Sequence, residues 1–310
     1  MRGFGEDKNF RGHTSVFVAQ VIFGLNMIVG KQALASPHVS ANALTFYRMI
    51  GTALLVWLVS LFAPKEKVSR KDLVRLFFAS LFGIMINQHL FIHGLALTSP
   101  IDASIISTIS PIITMLLAAV FLREPITLRK AGGVALGVTG AVLLILHGGA
   151  ARGGGSFSGD VMCVLSATSF ALYLTLFRDV IRRYWPVTLM KWMFLFASIC
   201  SLPFSYGSLS PSLWRAMSAG TMLEVGYVVV FATFIAYLLI PVGQRNLRPT
   251  VVSMYSNLQP LVASVAAVAL GMAAFGWQNG MAALLVFAGV YFTTTSKSRR
   301  QLDAEKGGAG

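Results

Sequence analysis

The sequence is short of charged residues and of cysteine. Of its 310 residues, 12% are charged and 55% are hydrophobic. An ordinary soluble domain carries about 25% charged residues, so this composition excludes a soluble protein of this size. The two cysteines, Cys163 and Cys200, fall within long apolar runs. Their placement excludes a disulfide framework and offers no metal-ligand spacing.

In place of charge the sequence has a series of apolar runs. Each run is about 20 residues long, which is the length that an α-helix needs to cross a bilayer. Several runs are hydrophobic on every face, as helices surrounded by lipid are. We number them spans one to ten, at residues 14–34, 42–63, 73–95, 100–122, 128–147, 159–177, 186–206, 221–243, 250–271 and 276–296. The pattern predicts an all-α integral membrane protein, with ten transmembrane helices in the lipid bilayer.

The net charge of +14 is unevenly distributed along the chain. If the N-terminus is cytoplasmic, 20 of the 25 Lys and Arg residues lie in cytoplasmic segments, and two, Arg152 and Arg215, lie outside. Cytoplasmic loops of membrane proteins carry such an excess of positive charge. We therefore predict a multi-pass protein of the bacterial inner membrane, with both termini in the cytoplasm and no nucleic-acid partner.

Residues 100–140 recur at residues 249–289 without a gap. Pro111 and Pro260 keep matching positions in the two stretches, each eleven residues after an earlier proline. The chain is therefore predicted to hold two copies of one unit. Five spans per unit is an odd number, so the second copy must enter the bilayer in the opposite orientation. The sequence predicts two inverted five-helix repeats.

The boundaries of the two copies follow from the spans. Polar and Gly-containing segments precede, separate and follow them. The predicted organisation is a cytoplasmic tail at 1–13, the first repeat at 14–147, an outer linker at 148–158, the second repeat at 159–296 and a cytoplasmic tail at 297–310.

The prolines of spans four and nine are the main pointer to a functional site. Each lies near the middle of its span, and a proline leaves unpaired the carbonyl four residues before it. For Pro111 and Pro260 these are the carbonyls of Ser107 and Ser256. Interrupted helices at matching positions of two repeats are typical of transporter sites, although kinks that serve only packing are also common. We therefore predict a site where the two kinked helices meet.

Polar residues within the other spans are candidates for the same site, because an amide or a charge in the bilayer must find a partner. An interhelical hydrogen bond is the alternative for each amide. Arg48 and Lys191 match between the copies and are expected to attract an anionic group such as a carboxylate. The predicted substrate-binding residues are Asn26, Arg48, Asn87, Gln88, His89, Ser107, Tyr173, Lys191, Tyr237, Tyr255, Ser256 and Asn257.

His89 and His93 lie four residues apart and share one helix face. Two such histidines can bind a metal, but no carboxylate lies nearby in the sequence. We expect them to line a cavity or to bond between helices, and we predict no metal and no cofactor. Because Asp and Glu lie only near the span ends, a histidine is the candidate if protons are coupled to transport.

The stretch that begins at Ser99, SPIDASIISTISPIITMLLAAVFLREPITLRKAGGVALGVTGAVLL, resembles the repeat of EamA-type members of the drug/metabolite transporter superfamily. GLNMIVGK in span one and FYR in span two fit the same family. The resemblance implies a ten-helix fold of two inverted five-helix repeats, and export of amino acids or other small metabolites by alternating access. The second copy departs from the pattern, because Ala273 and Ala274 stand where Glu124 and Pro125 would recur.

We therefore predict a transporter, and no enzyme, that exports or exchanges a small-molecule substrate at a midplane site between the copies. A channel-like facilitator is the alternative, and a membrane-embedded enzyme is a further one. An enzyme needs a nucleophile with a base, a metal cluster or paired carboxylates, and the spans offer none of these. The chain is expected to act as a monomer or a homodimer. Gly133 and Gly137 of span five allow close helix approach, for which packing within the subunit is the default and dimerisation through spans five and ten is the alternative.

Single cysteines placed between Gly148 and Ser158 test the predicted orientation. We expect them to react with membrane-impermeant thiol reagents added to intact cells, because this linker should face outward. Labelling is measured in a chain whose two native cysteines are replaced by serine. Reaction only after the cytoplasm is exposed would overturn the topology.

Overall fold

The computed structural model describes residues 3–98, 106–147, 156–205, 217–269 and 277–297 of the chain. These residues form helices and connecting turns, and no strand occurs among them. In chain order the helices are α1 (Gly3–Ala35), α2 (Ala41–Ser60), α3 (Arg70–Leu97), α4 (Ser110–Leu122), α5 (Leu128–His147), α6 (Phe157–Leu176), α7 (Arg178–Arg183), α8 (Pro186–Ser205), α9 (Ala219–Asn246), α10 (Pro249–Met254), α11 (Leu258–Ala269) and α12 (Trp277–Thr294).

Within the described ranges, six helices are long and apolar enough to cross a bilayer: Asn9–Ala35, Ala41–Ser60, Arg70–Leu97, Phe157–Leu176, Pro186–Phe204 and Ala219–Asn246. They coincide with predicted spans one, two, three, six, seven and eight, so an all-helical, multi-pass membrane protein is confirmed. Two shorter apolar helices, Ser110–Leu122 and Gly280–Thr294, lie in spans four and ten. The total of ten crossings stays a prediction, because the start of span four and the end of span nine lie outside the described residues.

Helices α3 and α9, the third spans of the two copies, share their local construction. Each begins after a serine, Ser69 or Ser218, whose hydroxyl accepts a hydrogen bond of 3.1 Å from the backbone N–H three residues later. Serine is favoured at this position because it satisfies an N–H group that the helix leaves unpaired. Each helix also contains a π-helical turn in the same register, at Leu81–Met85 and Val230–Ile235. Such turns are rare and frequently mark functional sites.

The α-helix is interrupted in both proline-containing spans. In span four a turn at Thr108 and Ile109 precedes α4, with Pro111 in the first turn of the helix. In span nine a 3-10 turn at Tyr255–Asn257 separates α10 from α11, which contains Pro260. Proline lacks an N–H group and clashes with the preceding turn, which explains why the break lies just before each proline.

The helices pack as two bundles that each combine both sequence copies. The first bundle contains α3, α4 and α6, and the second bundle contains α1, α9, α10 and α11. Thus α1 packs with helices of the second copy, and α6 packs with helices of the first copy. Outside the bundles, α2 lies against α8 and α5 lies against α12, while α10 crosses α4 where the bundles meet. The largest buried apolar cluster accordingly draws on both copies, from Met49 and Leu76 to Phe194 and Val252.

Helices α5 and α12 pack closely and run antiparallel. A Cβ atom on Gly133 would lie 2.6 Å from Thr293 Oγ1, and one on Gly140, two turns later, would lie 2.7 Å from Leu285 Cβ. Residue numbers therefore rise along one helix while they fall along its neighbour. These two helices occupy matching places in the copies, and the glycine face of span five is used for packing within the chain.

Substitution of Gly289 on α12 tests this close approach. In Gly289→Ala the new Cβ would lie 2.6 Å from the Gly133 carbonyl oxygen and from the Gly137 backbone nitrogen, so the two helices must move apart. We expect the free energy of unfolding to fall by about 1–3 kcal/mol, as it does at other overpacked sites. The measurement is a lower midpoint of thermal unfolding in detergent.

Gly280→Ala on the same helix is the matched control, because a Cβ there meets nothing within 4 Å. Equal unfolding midpoints for the two variants would contradict the observed packing of α5 and α12.

A polar cavity between two helix bundles

A cavity of about 130 Å³ lies between the two bundles. This volume holds several water molecules. The first bundle and the segment before α4 contribute Asn87, Gln88, Phe91, Ile106, Ser107, Ser110, Cys163, Ser166, Ala167 and Phe170. The second bundle contributes Gln20, Phe23, Asn26, Met27, Tyr237, Ser253, Ser256 and Gln259, and α2 adds Arg48.

A hydrogen-bonded group of three side chains links the bundles at the wall of the cavity. Gln88 Nε2 donates to the Tyr237 hydroxyl, which donates to Asn87 Oδ1 at 3.3 Å. Asn87 is itself held by Ser166, which accepts from Asn87 Nδ2 at 3.0 Å and donates to the Asn87 carbonyl at 2.8 Å. Gln88 and Tyr237 occupy matching positions of the two copies, 149 residues apart. The two copies therefore touch here through equivalent residues.

The interrupted helices make a second contact of this kind. Ser256 Oγ, which donates to the Ser253 carbonyl at 2.7 Å, also lies 3.5 Å from the carbonyl oxygen of Ser107, the residue at the matching position. That carbonyl is the one that Pro111 leaves without its usual helical donor. Nearby, Gln259 Nε2 donates to Gln20 Oε1 at 2.5 Å within the second bundle.

Two buried amide oxygens at the cavity lack hydrogen-bond partners among the described residues. They are Oδ1 of Asn26 and Oε1 of Gln88, and each side chain is 5% exposed. An acceptor buried without a partner destabilises the protein unless water or a ligand satisfies it. These two oxygens are therefore suited to accept hydrogen bonds from a bound molecule.

Arg48 is the charged residue of the described cavity wall. Its side chain is 3% exposed, and its Nε donates to Thr233 Oγ1 at 2.8 Å. Thr233 lies in the π-helical turn of α9, and its hydroxyl donates to the Val228 carbonyl at 2.7 Å. No Asp, Glu or His is among the described residues that line the cavity.

Of the twelve residues that the sequence singled out, seven line the cavity and five lie elsewhere. Those in the cavity are Asn26, Arg48, Asn87, Gln88, Ser107, Tyr237 and Ser256. The other five, Tyr173, Lys191, Tyr255, Asn257 and His89, have different surroundings.

Two of the five are tyrosines bonded to side chains outside the cavity lining. The Tyr173 hydroxyl donates to Gln244 Oε1 at 3.1 Å, and the Tyr255 hydroxyl lies 2.8 Å from His13 Nδ1. The amide of Asn257 is fully buried beside Gly137, and neither of its polar atoms has a partner in the described structure.

Lys191 lies between aromatic rings. Its Nζ is 5.0 Å from the centre of the Trp57 ring and 5.7 Å from that of Trp192. A cation over an aromatic face is attracted by the ring quadrupole. The two matching cations thus have different environments, Arg48 in the cavity and Lys191 among tryptophans.

His89 and His93 lie on the side of α3 that faces away from the cavity. They border a separate apolar recess together with Met162 and Phe204. Each Nδ1 bonds to the carbonyl four residues earlier, at 3.0 and 2.8 Å, and the rings are parallel with centres 6.1 Å apart. Among the described residues, no group of three or more His, Cys, Asp or Glu side chains is placed to hold a metal ion.

Two ion pairs join the copies near helix ends. Glu124, after α4, lies 2.8 Å from Lys130 Nζ and 3.6 Å from Arg178 Nη1. Burial lowers the pKa of the Arg178 guanidinium, and the Glu124 carboxylate opposes that shift. Asp72 lies 2.7 Å from Arg183 Nη1, and hydrogen bonding to this carboxylate raises the pKa of Arg183.

Part of the cavity wall was not predicted from the sequence. Phe23, Phe91 and Phe170 had no distinguishing signal, because a phenylalanine in an apolar run is ordinary core or lipid-facing material. Gln20 and Gln259 did carry a signal, since each is an isolated amide within or beside a predicted span.

The EamA-like transporter family matches the chain twice, at residues 10–146 and 157–295. The uncharacterized transporter YyaM of Bacillus subtilis is 22% identical over 284 residues, which cover 90% of this chain and 93% of YyaM. The uncharacterized inner membrane transporter YicL of Salmonella typhimurium is 22% identical over 94% of this chain and 97% of its own length. A WAT1-related protein of Arabidopsis thaliana is 23% identical over 92% of this chain and 91% of its own.

One crystal structure superposes with a TM-score of 0.70 at 18% sequence identity, over 93% of this chain and 96% of that chain. At this level of identity the likeness shows a shared fold.

The native cysteines test whether the cavity holds water. Cys163 lines the cavity, whereas Cys200 does not. In a Cys200→Ser variant we expect a small water-soluble thiol reagent to label Cys163, measured as a mass increase of the intact protein. Cys163→Ser is the control and should remain unlabelled. A Cys163 that stays unmodified while the unfolded chain reacts would show that the reagent does not reach the cavity.

Proposed function

The chain belongs to the EamA-like transporter family of the drug/metabolite transporter superfamily, and on this basis we propose that it carries small metabolites across the bacterial inner membrane. Amino acids or related solutes are the proposed substrates, and export or exchange is the proposed direction. The observation that carries the proposal is the polar cavity where the two bundles meet. Its wall combines amides and hydroxyls with one cation and three phenylalanine rings.

The arrangement of the copies supports an inverted repeat. Matching helices α5 and α12 run antiparallel, as they must if the copies are related by a two-fold axis in the membrane plane. Residues at matching positions touch at two places, Gln88 with Tyr237 and Ser107 with Ser256. Equivalent residues meet in this way on a two-fold axis. We therefore place the site on the axis that relates the two copies.

Alternating access would move the two bundles relative to each other. Each bundle is held by extensive helix packing. Between the bundles, α10 packs on α4, and a few hydrogen bonds at the cavity also cross from one bundle to the other. Bonds such as those of Tyr237 can break and form again when the cavity changes the side to which it opens. We propose that both termini remain cytoplasmic during this cycle.

Counterflow in proteoliposomes tests the proposal. Vesicles that contain the purified protein are loaded with one unlabelled L-amino acid, and uptake of a trace of the same labelled amino acid is measured across the common amino acids. A transporter gives transient accumulation that saturates with concentration. Uptake that neither saturates nor overshoots would indicate a channel, and chemical conversion of the solute would indicate an enzyme.

The variant Tyr237→Phe connects this activity to the cavity. Loss of the hydroxyl leaves Gln88 Nε2 and Asn87 Oδ1 without this partner, so we expect counterflow to fall about tenfold, equivalent to roughly 1.4 kcal/mol. Tyr227→Phe on the same helix is the control, because that hydroxyl bonds the Ile22 carbonyl and does not line the cavity. Wild-type counterflow in a folded Tyr237→Phe protein would remove Tyr237 from the site.

A further inference from the structure

We propose that the solute binds through one carboxylate, and that Arg48, positioned by Thr233, is the single cationic anchor for it. The inference rests on the proposed transport function. It adds the charge of the solute and a residue that determines how the anchor is held.

Arg48 has no counter-ion in the described structure. The acidic residues that form ion pairs there, Asp72 and Glu124, bind cations other than Arg48. A guanidinium remains charged at any physiological pH. A buried charge without a partner is strongly unfavourable, and an anion in the cavity would compensate it. The cavity around Arg48 is therefore complementary to a negatively charged group.

The hydrogen bonding of Arg48 favours a carboxylate. Its Nε is already used by Thr233, which leaves the four N–H groups of the two terminal nitrogens. A guanidinium binds carboxylates and phosphates with two parallel hydrogen bonds. A phosphate carries up to two charges, and Arg48 is the one cation among the described lining residues. A singly charged carboxylate matches that cavity better.

The acceptors nearby suggest what accompanies the carboxylate. Asn26 Oδ1 and Gln88 Oε1 are buried and unpartnered at the same cavity. They can accept hydrogen bonds from an ammonium group, while Arg48 supplies donors. This combination of one cation and two neutral acceptors suits a zwitterion.

Thr233 fixes the orientation of the guanidinium. Its hydroxyl accepts from Arg48 Nε and donates to the Val228 carbonyl, five residues earlier. That five-residue spacing belongs to the π-helical turn, so the turn and the hydroxyl together set where Arg48 is held. An aliphatic side chain at this position offers no acceptor for Nε.

The matching pair, Lys191 of the second copy and Ile84 of the first copy, lacks this hydroxyl. The position that matches Thr233 is Ile84, which is fully buried in the π-helical turn of α3. The cation that matches Arg48 is Lys191, and it packs over Trp57 outside the cavity. Of the two matching cations, Arg48 thus lies in the cavity, and it bonds to the π-helical turn that carries a hydroxyl, that of Thr233.

The first experiment compares L-amino acids with their methyl esters in the counterflow assay. We expect wild-type protein to prefer the free carboxylate, and Arg48→Gln to lose that preference. Thr233→Val should raise KM for the amino acid about tenfold with little change in the maximal rate, because a hydrogen bond to a charged group is lost. Thr233→Ser should restore KM, and Lys191→Gln should match the wild type.

A second measurement does not depend on transport. In the Cys200→Ser background, the labelling rates of Cys163 by an anionic and a cationic methanethiosulfonate of similar size are compared. We expect the anionic reagent to be favoured, the rate ratio to fall about tenfold in Arg48→Gln, and Arg48→Lys and Lys191→Gln to retain it. A tenfold fall in the rate ratio corresponds to a loss of about 1.4 kcal/mol of favourable interaction with the anionic reagent.

The two measurements separate failure of this inference from failure of the transport function. Active counterflow with equal use of esters, together with a rate ratio that ignores Arg48, would overturn the inference and leave the transporter intact. A rate ratio that depends on Arg48 in a protein without counterflow would support the anion site and remove the transport function. A Thr233→Val protein that behaves as wild type in both measurements would remove Thr233 from the proposal.

Discussion

Polar side chains within a bilayer must find their hydrogen-bond partners inside the protein, and the centre of this molecule depends on that constraint. Tyr237, Gln88 and Asn87 satisfy one another across the boundary between the bundles. Ser107 and Ser256 meet where the helices are interrupted, with the Ser256 hydroxyl 3.5 Å from the Ser107 carbonyl oxygen. These contacts join the bundles beside the packing of α10 on α4, and they leave a space between the bundles. The result is a cavity whose wall combines apolar side chains with a few amides, hydroxyls and one guanidinium.

Duplication and divergence have separate effects on this cavity. Duplication repeats the local construction, including the serine caps and the π-helical turns at matching positions. Divergence then makes the two walls chemically different. Gln88 opposes a tyrosine at its matching position, and Thr233 has an isoleucine as its counterpart. A site of this kind can bind an asymmetric solute in one orientation. A strictly symmetric wall would bind both ends of the solute equally well.

The candidate site was predicted in part from single residues. Asn26, Arg48 and Asn87 were found because polar groups stand out in apolar runs. His89 stood out equally, yet it follows Gln88 by one residue, which is about 100° around a helix, and it faces the other side. The phenylalanines of the wall were not predicted, because the sequence does not distinguish a phenylalanine that faces lipid from one in the core or one that lines a cavity.

The sequence by itself determined the membrane setting, the helices and the presence of two copies, because apolar length and repeat spacing are local properties that are read along the chain. Only the tertiary structure decided that α1 and α6 exchange places between the copies, and which helix faces meet at the cavity. It also decided that Arg48 lies in the cavity while Lys191 lies against tryptophan. Such choices depend on helix rotation and on partners more than a hundred residues away, as Thr233 is from Arg48. No local stretch of sequence contains both members of such a contact.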